Sequence, residues 1–368
     1  MRRITKYNFK KPVICVLCFA LATFLFSQRS HFEQPVKYTA QKLGSFYAAA
    51  ALPEAVMVSA PTQAQTTTVA ATQKADKVTA TTKKIESTTA KATNKTVAAS
   101  SDAAGKIYTQ TIGVGGANLS ITDLHISNKT GVSVDLAKEL KIAPEIEIYK
   151  NEKPQVLIIH THGTEGYFPE SDGTYKSSWS SRTTDKSKNV VRVGAEIAKQ
   201  LEAANITTIH DKTLHDQTSY NGSYDRARVT IQSYLKKYPS IDVVLDIHRD
   251  AITQNDGTKI KPSATINGKS AAQIMIATGC QSGSVTSYPN WRKNFRFAIR
   301  LQQTCEKMYK NLARPMYFVS KKYNHDLNCG SILIEMGSEA NTLEQAIYSG
   351  ELVGKALVKV LSELEVSS

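Results

Sequence analysis

The sequence predicts an α/β fold: a mainly parallel, twisted sheet flanked by helices. Short apolar runs bounded by polar loops, such as IDVVLDI at 241–247, are typical of strands that are buried on both faces. Segments with apolar residues at helical spacing, such as VVRVGAEIAKQL at 190–201, lie between these runs. Strands that alternate with helices favour a parallel sheet, because each crossover helix packs back onto it.

The folded domain is predicted over residues 107–368, with its elements in a regular order. Strands are predicted at 156–159, 206–209, 241–247, 270–279, 316–319 and 331–336. A turn and a short helix are predicted within 126–142, and longer helices at 190–201, 224–237, 291–312 and 343–364, the last as one helix or a helix pair.

The N-terminus has the pattern of a signal peptide or signal anchor. Residues 1–11 carry five basic side chains and no acidic one, and residues 13–27 carry no charge. No small-residue cleavage site follows, which favours an uncleaved single-pass membrane anchor over residues 1–30. Basic residues on the short side place that end in the cytoplasm and the rest of the chain outside.

Residues 31–106 are predicted to be a disordered tether. The segment is rich in Ala, Thr and Lys, and the chain has no aromatic residue between Tyr47 and Tyr108. Such a composition buries too little apolar surface to offset the entropy lost on ordering.

Charge and motif content narrow the function. The net charge of +14 suits an anionic partner such as a membrane surface, an acidic wall polymer or nucleic acid, and the membrane segment argues against nucleic acid. No CxxC pair lies outside the apolar run, so a cysteine zinc cage is not expected. The chain also lacks GxSxG, Walker A and HExxH motifs and a GxGxxG after a strand.

Two histidine motifs and one glutamate lie at or just past the ends of predicted strands. The motifs are HTHGTEGY at 160–167 and DIHRD at 246–250, and Glu335 lies within SILIEM. Ligands of such sheets bind beyond the carboxyl ends of the strands. We therefore expect these segments to form one site.

The residue types in these segments suit zinc hydrolysis. Imidazoles from His160, His162 and His248 and a carboxylate are the ligands that catalytic zinc takes. Glu335 is a carboxylate in an apolar strand and is a candidate proton carrier. Asp246 and Asp250 flank His248, and either can orient a ligand imidazole. Any one of these histidines alone is more simply explained as a satisfied buried side chain.

The same segments resemble the stage II sporulation protein P family. The resemblance covers roughly residues 107–365 and includes the N-terminal membrane segment. It is carried by VLIIHTHGTEGYFP at 156–169, KNVVRVGAEIAKQL at 188–201, VVLDIHRDA at 243–251, YPNWRKN at 288–294 and ILIEMGSEANTLEQA at 332–346.

The resemblance implies an amidase-like domain and a septal peptidoglycan hydrolase of endospore-forming bacteria. It implies a divergent zinc N-acetylmuramoyl-L-alanine amidase that also cleaves cross-links. The family acts with stage II sporulation proteins D and M during engulfment, so the expected location is the septal space of the sporangium, outside the membrane.

The resemblance also carries over residues. It implies His248 and either His162 or His160 as zinc ligands, and Glu335, followed by Asn341, as the catalytic glutamate. The family has a glutamate ligand where this chain has Asn189. Glu165 is the candidate third ligand, and His160 is the alternative for that position. His160 is also, with Glu335, a candidate catalytic residue.

The sequence also offers two candidate substrate-binding residues and leaves two alternative functions open. Arg249 and Arg182 are candidates to bind substrate carboxylates, because arginine pairs well with them, although a structural role is as reasonable. A non-catalytic wall-binding module and a zinc peptidase that cuts only stem peptides are the alternatives to an amidase.

Overall fold

A computed structural model of the chain describes residues 103–149, 151–169 and 173–366. The predicted anchor and all but the last four residues of the predicted tether lie outside these ranges, so both stay predictions. No helix within the described ranges is long and apolar enough to cross a membrane.

The described residues form twelve strands. In chain order these are β1 Ala103–Gln110, β2 Leu119–Ile121, β3 Leu124–Asn128, β4 Val156–Ile159, β5 Thr174–Lys176, β6 Thr208–His210, β7 Val243–Asp250, β8 Lys259–Ile266, β9 Lys269–Ala272, β10 Ile274–Gly279, β11 Met316–Val319 and β12 Gly330–Ser338. They build an eight-stranded sheet of order β2-β3-β11-β10-β12-β7-β4-β6 and a four-stranded sheet of order β5-β1-β8-β9.

The same described ranges contain five α-helices: α1 Leu136–Lys141, α2 Val190–Ala203, α3 Ser223–Lys237, α4 Trp291–Met308 and α5 Leu343–Ser362. Short 3₁₀ helices lie at Val114–Gly116 and His325–Leu327. The predicted α/β fold is confirmed. The smaller sheet was not predicted, and the strand expected at 270–279 is divided at Gln273, whose backbone N–H bonds to Pro262 while its side chain bonds to Ile112 and Asn311.

The large sheet is mainly parallel but contains one reversal that matters for the site. The pairs β3–β11, β11–β10, β12–β7, β7–β4 and β4–β6 are parallel, whereas β2–β3 and β10–β12 are antiparallel. Because β10 and β11 run against β12, their first residues lie at the edge where β4, β7 and β12 end.

The two faces of the large sheet carry different side chains, because successive residues of a strand point to opposite faces. In β7, Val243, Leu245 and Ile247 pack in the main core with apolar residues of α2, α4 and α5. Val244 faces the other way, toward α3. Because side chains alternate along a strand, the even-numbered residues Asp246, His248 and Asp250 lie on this second face.

Helix α2 approaches the end of β4 at a glycine. A Cβ on Gly194 would lie 2.7 Å from Cε1 of His160 and 3.0 Å from Nε2 of His210. Alanine in an ordinary helix interior is about 1 kcal/mol better than glycine. At this position, however, the methyl group has no room beside the two imidazoles.

We expect Gly194→Ala to destabilise the protein by about 1–3 kcal/mol, because overpacking displaces the histidine pair. Urea unfolding of the whole chain measures this change. Gly116→Ala is the matched control, since no atom lies within 4 Å of its added Cβ. A gain in stability from Gly194→Ala would contradict the packing described above.

Candidate active site at the edge of the large sheet

His162 and His248 meet at the carboxyl ends of β4 and β7. Each of the two residues is only 3% exposed. The centroids of their imidazole rings lie 5.2 Å apart, and the angle between the ring planes is 88°. Tyr220 stacks on His162 with a centroid distance of 4.4 Å, and Tyr224 contacts it edge-on at 5.6 Å. Burial lowers the pKa of His162 to about 4, so its imidazole is neutral at pH 7.

His248 lies between two carboxylates. Its Nε2 is 2.9 Å from Oδ1 of Asp246, and its Nδ1 is 3.5 Å from Oε2 of Glu165. Burial on its own lowers the pKa of His248, but Asp246 and Glu165 together raise it well above the usual value. Asp246 also accepts hydrogen bonds from the backbone N–H and the hydroxyl of Thr161, which tie the histidine loop to β7.

Glu165 enters the cluster from the loop after β4. Burial would raise its pKa, but His248 and Arg249 lower it to about 2, so the group is a carboxylate at neutral pH. Its backbone carbonyl accepts a hydrogen bond from Val190 N, and Gly166 pairs with Asn189, which caps α2. The backbone of Glu165 therefore lies next to the position where the resemblance expected a carboxylate.

Glu335 lies directly beside His248 on the neighbouring strand. The two residues are partners in the parallel β7–β12 register, so their side chains point to the same face. Glu335 is 3% exposed, and its Oε2 has no hydrogen-bond partner among the described residues. Burial, reinforced by Asp250, raises the pKa of Glu335 to about 8.

His160 does not join this cluster. Its Nδ1 lies 3.0 Å from the carbonyl oxygen of Ile247, and its Nε2 lies 2.9 Å from Nε2 of His210. Since a carbonyl only accepts, Nδ1 of His160 carries the proton and Nε2 accepts from His210. The chain turns immediately after His160, so the two histidines of the motif face different surroundings.

The two predicted substrate-binding arginines occupy different environments. Arg249 is buried, and its guanidinium donates to the carbonyls of Gly166, Ser181 and Asp250. The side chain of Arg182 is 37% exposed and bonds to Thr164 and Asp216. The geometry thus leaves Arg182, rather than Arg249, near solvent at the rim of the cluster, where it also lies 4.9 Å from the centre of the Tyr220 ring.

Several residues of the cluster carried no signal in the sequence. Tyr220, Ser223 and Tyr224 come from the loop before α3 and the first turn of that helix, and Ser223 Oγ lies 3.3 Å from Nδ1 of His162. They belong to no motif and reach His162 only because α3 packs on the second face of the sheet.

The cluster has the donor atoms of a zinc site but not yet the geometry of one. Within the described ranges, no group of three or more His, Cys, Asp or Glu side chains stands in a geometry that could hold a metal ion as it is. The donor chemistry does fit: two imidazoles and an ionised carboxylate converge, and the unpartnered Oε2 of Glu335 lies next to them. Asp246 beside Nε2 of His248 has the position of a carboxylate that orients a ligand histidine.

The fold and cluster define an α/β protein with a buried histidine–carboxylate site at a sheet edge. Residues 30–358 match the family model of stage II sporulation protein P, and the chain belongs to that family, as the sequence predicted. Stage II sporulation protein P of Bacillus subtilis (strain 168) is 29% identical over 224 residues, 58% of this chain and 51% of that protein. The chain thus spans about half the length of the curated relative it matches.

Some solved structures are also similar, with low TM-scores. The CwlD amidase from Clostridioides difficile in complex with the GerS lipoprotein is 11% identical over 57% of this chain and 98% of its own, with a TM-score of 0.35. The N-acetylmuramoyl-L-alanine amidase from Clostridium difficile 630 is 18% identical over 58% and 97%, with a TM-score of 0.32.

The buried Glu335 gives a pH-dependent prediction for the metal-free protein. Burial raises the pKa of Glu335 to about 8 in the folded state, whereas the pKa of this carboxyl in the unfolded chain is the usual 4.5. Between these values the folded state binds more protons, so its stability falls as the pH rises. Glu335→Gln has no such proton to lose. We expect this variant to be more stable than the native chain at pH 8 by about 2 kcal/mol or more.

Urea unfolding with a chelator present, at pH 5 and at pH 8, measures this difference. At pH 5 the native carboxyl is still protonated in the folded state, so most of the gain should disappear. A stability difference that is the same at both pH values would argue against a raised pKa for Glu335.

Proposed function

We propose that the chain is a zinc-dependent peptidoglycan hydrolase, an N-acetylmuramoyl-L-alanine amidase that acts on septal wall during sporulation. The observation that carries this proposal is the buried, unpartnered carboxylate of Glu335 beside His248, in one cluster with His162 and Glu165. Family membership supports the link to sporulation.

His162, His248 and Glu165 are the residues that would hold the metal. Nδ1 of His248 lies 3.5 Å from Glu165, so this nitrogen would hold the metal together with Glu165, and Asp246 would retain the Nε2 proton. Ser223 lies at Nδ1 of His162 and leaves Nε2 of that ring for the metal. Zinc, when bound, lowers the pKa of water and polarises the carbonyl under attack.

Glu335 is the proton carrier in this proposal. It would accept a proton from the attacking water and deliver it to the nitrogen that leaves when the lactyl amide is cut. A pKa raised by burial suits a carboxyl group that must both take and give a proton near neutral pH. Bound zinc would add positive charge beside Glu335 and bring this pKa down toward the working range of a base.

The remaining parts of the proposal concern substrate and place. The net charge of +14 favours an anionic wall polymer. We propose that residues 1–30 hold the enzyme in the membrane with its folded domain outside, and that cleavage of cross-links and cooperation with stage II sporulation proteins D and M serve engulfment. Arg182 at the rim of the cluster is available to contact substrate, whereas Arg249 serves to fix the loops around Glu165.

Hydrolysis of purified peptidoglycan by the whole chain tests the reaction. We expect Glu335→Gln to lower the rate by about 10²–10⁴-fold, because it removes the proton carrier. A chelator should also abolish activity, and added zinc should restore it. Glu351→Gln, on the exposed side of α5, is the matched control and should keep the native rate.

Mass analysis of the products identifies the bond. Glycan strands freed of peptide indicate amide cleavage, whereas muropeptides with shortened stems indicate a peptidase. Activity that survives both chelation and Glu335→Gln would sink the metal mechanism. Binding to intact wall with no released product would favour the wall-binding alternative.

Metal content separates the two histidines of the HTH motif. We expect His162→Gln and His248→Gln to reduce bound zinc well below the native level, because each removes a ligand. His160→Gln should retain zinc, since both nitrogens of His160 bond within the protein. Elemental analysis after dialysis measures the ratio, and the surface variant His125→Gln is the control. Loss of zinc from His160→Gln with retention in His162→Gln would reverse the assignment.

A further inference from the structure

A cavity lies on the face of the large sheet that carries Glu335. Its empty volume is about 420 Å³, including the part open to solvent, and it is lined by Ile112, Ser127, Ile252, Met275, Arg314, Pro315 and Tyr317. Met275 is the register partner of Glu335 in the β10–β12 pair, so the two side chains share a face. The cavity therefore lies one strand away from Glu335.

Strand reversal brings this cavity to the site. Residues 314 and 315 immediately precede β11, which begins at Met316. Arg314 N donates to the carbonyl of Ile274, the first residue of β10, so the start of both strands is fixed there. This is the same edge of the sheet at which β7 and β12 present His248 and Glu335.

Arg314 is the one charged side chain in the cavity lining. It is 3% exposed, and its Nη1 donates to Oδ2 of Asp250 at 2.9 Å. Its Nε and Nη2 are buried and find no hydrogen-bond acceptor in the described part of the chain. Guanidinium is always protonated, and a buried donor without an acceptor is costly. Asp250 thus satisfies only part of this group.

The other walls define what the cavity accepts. Ile112, Ile252, Met275 and Pro315 offer apolar surface around the guanidinium. An oxyanion on a short aliphatic stem matches both features, and a planar carboxylate can accept from two guanidinium nitrogens at once.

We propose that this cavity is a carboxylate-binding subsite, in which Arg314 holds a carboxylate of the substrate's peptide through Nε and Nη2. The inference rests on the proposed function, in which the peptide is attached to the amide that is cut. Asp250 positions the guanidinium from the opposite side. Arg314 acts as a specificity-determining residue and takes no part in the chemical step.

Direct binding tests the subsite without any need for catalysis. The probe is the dipeptide L-Ala-D-Glu with its γ-carboxyl blocked as the methylamide and its α-carboxylate free, compared with the matching α-amide, which carries no carboxylate. Each is titrated calorimetrically into the whole chain in the presence of chelator. We expect the native chain to bind the acid at least about tenfold more tightly, the range of a lost charge-assisted pairing. Equal binding of acid and amide by the native chain would overturn the proposal.

The variant Arg314→Lys keeps a positive charge beside Asp250 but removes the planar pair of donors. In this variant the acid and the amide should bind with nearly equal affinity, and the affinity for the amide should be the same as in the native chain. Arg300→Lys is the matched control, because Arg300 on α4 also has a buried Nε without a partner but lies outside the cavity lining. Preference retained in Arg314→Lys, or lost equally in Arg300→Lys, would count against the subsite.

Kinetics separates this inference from the proposed function. With muropeptides that carry the free or the amidated carboxylate, Arg314→Lys should raise KM for the acid alone and leave kcat within about twofold, as expected when uniform binding is removed. Hydrolysis with no preference for the acid would reject the subsite and leave the proposed function standing. Preferential binding of the acid without hydrolysis would support the subsite and reject the proposed function.

Discussion

The pairing of β7 with β12 places His248 beside Glu335, and the other groups of the site are arranged around that register. Period-two alternation directs the even-numbered residues of β7 and Glu335 of β12 away from the helices α2, α4 and α5. Three strand residues, Asp246, His248 and Glu335, are thereby buried on one face. A shift of one residue in this register would move them into the apolar core, where ionisable groups are costly.

Burial of so many ionisable groups is tolerable because most of them are paired. Asp246 and Glu165 compensate a protonated His248 from its two ring nitrogens, and Arg249 fixes the loop of Glu165 through three carbonyls. Glu335 is the exception, since neutralisation by a proton takes the place of a partner. A buried ionisable group with a shifted pKa, among neighbours that are hydrogen-bonded, is typical of functional sites. The orphan donors of Arg314 are a second imbalance of the same type, at the same edge of the sheet.

Much of the fold was predictable because its elements are locally encoded. The apolar run at 156–159 and the amphipathic segment at 190–201 form a strand and a helix within two residues of the expected ends. Strands β3 and β8 were missed although LHISN and KIKPSATI alternate apolar and polar residues, because LHISN has only two apolar positions and a proline interrupts KIKPSATI. Their strand state depends on partners distant in sequence: β11 for β3, and β1 and β9 for β8.

The sequence by itself determined the class of fold, the family and the proximity of two motifs at strand ends, because hydrophobic period and motif residues are local properties. Only the tertiary structure decided which histidine faces the cluster. In the sequence, both His160 and His162 follow the same predicted strand, and nothing there separates their roles. In the structure, the chain turns after β4, so His160 contacts His210 and His162 contacts His248. The tertiary structure likewise decided that Arg249 is held by carbonyls while Arg314, in no motif, keeps two donors unpaired beside a cavity, since the order and direction of strands follow from packing across the whole sheet.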